Sequence, residues 1–218
     1  MAAMASLVQD VWLGWEPRLR GRRLAPWEEP AVRLLFHLDL AATLDEPPVA
    51  AFLESAAERL EVVAWEPRGQ GGSGGRPGAE VLEDARRLVQ EAGRRWGPLP
   101  LVVGGHGLGG WLALAAAETP GVRGAFALAP TLGASGKPGI EPAALVTALA
   151  GISPGVPTLL VEGRDRPAED ASFVSEWLAR QPGATRIAVA GADDSVLAPP
   201  WPTVVTAWVE AVGRAARS

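Results

Sequence analysis

One stretch constrains the fold of this chain more than any other: residues 99–117, Leu-Pro-Leu-Val-Val-Gly-Gly-His-Gly-Leu-Gly-Gly-Trp-Leu-Ala-Leu-Ala-Ala-Ala. A short β-branched run, which favours a strand, enters a turn dense in glycine. It leaves as an alanine- and leucine-rich segment suited to a helix. Such a corner sends the chain from a buried strand straight into a helix, a connection made in sheets covered by helices. The frame Gly105-x-Gly107-x-Gly109 leaves three places along the turn with no side chain.

The rest of the chain alternates in the same way. Residues 8–13 suggest an edge strand, and residues 14–30 hold a second short strand before a loop. A buried-strand run spans Ala31 to Leu38, and Asp39 to Thr43 reads as loop. Val49 to Leu60 has helical spacing, with Val49, Phe52, Leu53, Ala56, Ala57 and Leu60 on one face. Further strands are expected at Glu61–Trp65, Val122–Leu128, Pro157–Gly163 and Thr185–Ala190. Further helices are expected at Ala79–Trp96, Ala168–Arg180 and Trp201–Ala216, with a short one near 142–150. This pattern predicts one α/β domain over 1–218, a mostly parallel sheet flanked by helices on both faces, with a short lid-like segment at about 131–156.

Composition excludes several function classes. The net charge is −5 with no basic block, which argues against nucleic acid as a partner. No apolar run approaches the length of a bilayer span, so no membrane segment is expected. Residues 1–10 lack the basic start and apolar core of a signal peptide, which points to the cytoplasm. There is no cysteine, hence no disulfide, no thiolate nucleophile and no cysteine-held metal. With only His37 and His106, a histidine-rich metal site is excluded too, and no cofactor is expected. Basic residues are almost all arginine, Lys137 being the one lysine, a bias of bacterial type and of little functional weight. Nine tryptophans beside no tyrosine leave room for some to line a pocket, although core packing accounts for most of them.

The glycine corner has the form of a nucleophile elbow, G-x-S-x-G, with Gly107 in the serine's place. Together with the elbow, four further stretches, in order, make the chain resemble the α/β-hydrolase family. Leu35-Phe36-His37-Leu38 resembles the strand and His-Gly turn whose backbone N–H helps form the oxyanion hole, with Leu38 where Gly is usual. Glu66-x-Arg68-Gly69-x-Gly71-x-Ser73 is similar to the D-x-R-G-x-G-x-S loop. Gly105 to Gly110 is similar to G-H-S-L-G-G, and Val156 to Asp165 to the strand and turn that carry the triad acid, which places that acid at Asp165. Ala190 to Leu197 resembles the segment that carries the triad histidine, where Asp194 now stands.

The resemblance implies a hydrolase fold with a degenerate catalytic triad. Acyl transfer by a serine needs an attacking oxygen and a base poised near neutrality. Gly107 offers no oxygen, and a carboxylate of ordinary pKa, such as Asp194, is a poor acceptor for a hydroxyl proton. Ser73, Ser135, Ser153 and Ser195 remain, but none lies on the elbow.

The expected function is therefore that of a pseudoenzyme. Its vestigial pocket, around His37, Leu38, His106, Leu108 and Trp111, would hold a small-molecule ligand or a protein partner. The amides near Gly107 at a helix start would make an anion- or carbonyl-binding cradle. The short lid-like segment leaves the cleft open or shallow unless Trp111, Trp201 or a partner subunit covers it. A second reading makes Asp165 and Asp194 an acid–base pair for a non-covalent cyclase, isomerase or lyase. A third, residual esterase-type hydrolysis, needs a displaced nucleophile. Gly105-x-Gly107-x-x-Gly110 also spells a dinucleotide fingerprint, but it lies in mid-chain and lacks the acid about 20 residues on.

Overall fold

A computed structural model describes residues 7–14, 16–40, 42–78, 80–131, 147, 155–164, 168–190 and 196–215. Eight strands form one sheet: β1 Leu7–Leu13, β2 Leu19–Ala25, β3 Arg33–His37, β4 Glu61–Trp65, β5 Leu101–His106, β6 Val122–Leu128, β7 Thr158–Gly163 and β8 Ala184–Val189. Their spatial order is β1-β2-β4-β3-β5-β6-β7-β8. The β1–β2 hairpin and the β2–β4 pair are antiparallel, and every pairing from β4 to β8 is parallel. Among the described residues these helices accompany it: α1 Pro47–Ala57, α2 Val81–Trp96, α3 Leu108–Ala116, α4 Ala168–Ala179 and α5 Trp201–Ala215.

The central strands are buried on both faces because their sequences are apolar without alternation. One core gathers Leu35, Val63 and Val103 with the apolar stripe of α2, the whole of α3, and Phe173, Val174 and Trp177 of α4. The other gathers Leu34, Phe36 and Val62 beneath α1 and α5. Helix α1 begins earlier than the periodicity suggests because Pro47 and Pro48 are suited to a first turn. It also ends earlier, since Arg59 and Leu60 both donate back to Ala56 O in a tightened last turn. Of the expected helix near 142–150 only Thr147 is described, in helical conformation; residues 132–146 and 148–154 of the lid-like segment lie outside the described residues.

One ion pair ties these layers together far from the glycine corner. Arg33, 1% exposed, donates to Glu61 Oε2 through Nε (2.9 Å) and Nη2 (2.7 Å). Its remaining protons reach the carbonyls of Ala92, Trp96 and Gly97, the last turn of α2. Removing one partner of a buried pair leaves the other charge stranded, at about 3–5 kcal/mol. Glu61→Ala should lower the unfolding free energy by about that amount in a urea titration, whereas loss of an exposed pair such as Arg87–Glu83 should cost under about 0.5 kcal/mol.

Candidate functional site

Strand β5 ends at His106, the backbone reverses at Gly107, and α3 starts at Leu108. Gly107 has φ +59° and ψ −129°, a region that side-chain-bearing residues rarely enter. Its N–H donates to Leu128 O at 2.9 Å, fixing the corner to the end of β6. Helix α3 then runs against the backbone of β3: a Cβ on Gly109 would lie 2.0 Å from His37 O. The corner is therefore a strained strand-to-helix elbow, built as the spacing predicts.

What fills it is Asp39, from the turn after β3. Asp39 Oδ1 accepts the Leu108 N–H at 3.2 Å and the Leu40 N–H at 2.8 Å. The first donor follows the nucleophile position and the second comes from the turn after β3. Those are the two places from which an elbow hydrolase draws its oxyanion hole. A Cβ added to Gly107 would meet Asp39 Cγ at 2.6 Å and Asp39 Cβ at 2.9 Å. The carboxylate thus fills the space over Gly107 and takes both amides. This reverses the expectation of an open anion cradle. Reading Asp39 as a plain loop residue overlooked it; the available signal was an acid two residues past His37, opposite an elbow position without a side chain.

Beyond Asp39 opens a cavity of about 330 Å3, lined by Asp39, Ala42, Glu46, Pro48, Val49, His106 and Leu197. Among the described residues its polar side chains are two carboxylates and a half-buried imidazole. Glu46 is held by accepting the Thr43 N–H at 3.0 Å. Among the described residues no cluster of His, Asp and Glu has the arrangement of a metal site.

The other expected pocket residues face elsewhere. The His37 side chain is fully buried, and its Nδ1 accepts the indole N–H of Trp65 at 2.9 Å. Burial pushes its pKa down to about 3, so the ring is a neutral acceptor in the core and not a pocket group. Leu38 lies in the core under α1, and Leu108 in the core under α2. Trp111 is 1% exposed, edge-on to Phe173 (5.0 Å) and Trp177 (5.9 Å), so it covers no cleft. It is core because α4 closes over α3, which periodicity in α3 alone does not reveal. His106 is the member of that set that reaches the cavity. Asp165 and Asp194 lie outside the described residues.

The second motif loop is structural. Glu66, fully buried, accepts from Gly72 N (2.6 Å), Leu44 N (3.1 Å) and Arg20 Nη1 (3.2 Å). Ser73 Oγ donates to Glu66 O at 2.7 Å and accepts from Arg20 N at 2.8 Å, so its hydroxyl serves the loop. Arg68 clamps Asp84 with two bonds of 2.5 and 2.6 Å, and this contact raises the arginine's pKa further above its ordinary range.

An eight-stranded, mostly parallel sheet with a strand–elbow–helix corner at its centre defines a protein of the α/β-hydrolase class. A family model described as serine aminopeptidase, S33, matches residues 50–190, well over half the chain. The chain belongs to that family. No curated protein matches it. Among solved structures it is similar to an esterase of Pyrococcus furiosus (TM-score 0.72, 17% identity, 95% of this chain and 91% of that one). It is likewise similar to a protein of Thermus thermophilus (TM-score 0.67, 23% identity, 95% and 98%) and to the esterase Est22 (TM-score 0.73, 14% identity, 99% and 82%). At these identities the likeness concerns the fold.

Two measurements check this geometry. Gly107→Ser should destabilise the protein by about 1–3 kcal/mol, through collision with Asp39 and strain at positive φ. Asp39→Gly in the same chain should return part of that loss, a coupling readable as a double-mutant cycle. The neutral His37 of the folded state has a pKa of about 3 against 6.5 in the unfolded chain, so only the unfolded chain gains a proton between those values. Its contribution is complete above pH 6.5 and is lost as pH falls toward 3, at up to about 1.4 kcal/mol per pH unit. Between pH 6 and 4.5 the unfolding free energy should therefore fall by about 2 kcal/mol more than in His37→Phe.

Proposed function

We propose that this chain is a non-hydrolytic α/β-hydrolase-fold protein whose cavity beside the elbow holds a small ligand. The observation that carries this reading is the Asp39 carboxylate, seated on the Leu108 and Leu40 amides against a Gly107 that has no side chain. Acyl transfer needs a nucleophile at the elbow and a vacant hole for the developing oxyanion. Neither requirement is met by the described residues. A displaced nucleophile at Ser73 is disfavoured, because that hydroxyl is spent on Glu66 O and Arg20 N. The acid–base reading for Asp165 and Asp194 rests on the sequence alone.

A cavity of about 330 Å3 with the apolar walls Ala42, Pro48, Val49 and Leu197 suits a small molecule better than a polymer. The similar structures named as esterases supply the rival reading. Purified protein should release p-nitrophenol from its acetate and butyrate esters no faster than buffer does. Turnover abolished by one substitution would overturn the proposal. Calorimetry against small amides, esters and amines should yield a saturable ligand whose binding is lost when Ala42→Phe fills the cavity.

A further inference from the structure

We infer that Asp39 is a built-in, self-occluding occupant of the oxyanion hole, and that the hole is closed to external carboxylates and oxyanions while Asp39 is in place. The inference rests on the non-hydrolytic reading and gives that site a regulation: access to the two amides depends on where one side chain sits.

The physical argument has three parts. The first is donor capacity. Each backbone N–H offers one proton, and those of Leu108 and Leu40 both go to the same oxygen, Asp39 Oδ1 (3.2 and 2.8 Å). An arriving anion finds no donor until that oxygen leaves. The second is competition. An intramolecular ligand held by a short turn acts at a high effective concentration, so a free anion at millimolar levels does not displace it. The turn is short and closed, with Ala42 N donating to Asp39 O at 3.1 Å. The third is charge. Glu46 lines the same cavity, so the approach to the amides is acidic before an anion reaches them.

A purely structural account makes Asp39 a helix cap supplied from another segment. The N-cap position of α3 is Gly107, which has no side chain to cap with, and a carboxylate at a helix N-terminus is stabilising. That account predicts a loss of stability when Asp39 is removed, and no new binding. Occlusion predicts both.

The two are separated by amide NMR on the full chain with sodium acetate as the probe. In the unaltered protein the Leu108 and Leu40 amide resonances should stay fixed up to tens of millimolar acetate. In Asp39→Ala the Leu108 amide should shift saturably, with an affinity at least tenfold tighter than any response of the unaltered protein. Equal acetate shifts at Leu108 in both proteins would overturn occlusion, as would a folded Asp39→Ala with no response.

Should Asp39→Ala fail to fold, Asp39→Ser, whose short hydroxyl can still cap the helix, takes its place in the same acetate titration. A saturable Leu108 shift absent from the unaltered protein supports occlusion, and equal responses in the two proteins overturn it. Ester turnover bears on the non-hydrolytic reading alone; acetate binding bears on occlusion alone.

Discussion

The structure depends on the closeness of α3 to the strands beneath it. The helix begins so near β3 and β5 that a Cβ on Gly105 would lie 2.2 Å from Gly109 O, and one on Gly109 would lie 2.0 Å from His37 O. Only hydrogen atoms fit at that contact. Because of it the first turn of α3 meets the turn after β3, and the Leu108 amide comes within reach of a side chain from residue 39. The elbow, its anchoring to Leu128 O and the placement of Asp39 all follow from that approach.

Electrostatics then fixes the loops that frame the cavity. A buried carboxylate is costly unless its lone pairs are satisfied. Glu66 meets that condition with two backbone amides and the Arg20 guanidinium, which joins the loop after β4 to the turn before α1. Arg20 and Arg22 both reach Asp45, one residue before Glu46, and hold the Asp45 carboxyl below its usual range. The cavity wall that carries Glu46 is thus tied to the antiparallel edge of the sheet, although no residue of that edge lines the cavity.

A shape that suits an oxyanion also suits a carboxylate of the protein's own. A hole of two convergent amides at a helix start does not distinguish a reaction intermediate from a fixed side chain; what distinguishes them is the occupant. With no side chain at Gly107, the space over the elbow is available to Asp39. Two positions 68 residues apart in sequence, 39 and 107, therefore form one unit in space.

The alternation of apolar runs with amphipathic stretches determined the parallel sheet, and the glycine spacing determined the elbow, because both are local consequences of backbone sterics and side-chain periodicity. The absence of an elbow nucleophile was equally legible, since it is the identity of one residue. What occupies the elbow was not, because Asp39 reaches Gly107 only through the packing of β3 beside β5 and of α3 against both. The burial of His37 behind Trp65 and of Trp111 behind α4 was hidden for the same reason. Each is decided by an element distant in sequence. Sequence periodicity says that a face is covered; only the tertiary structure says by what.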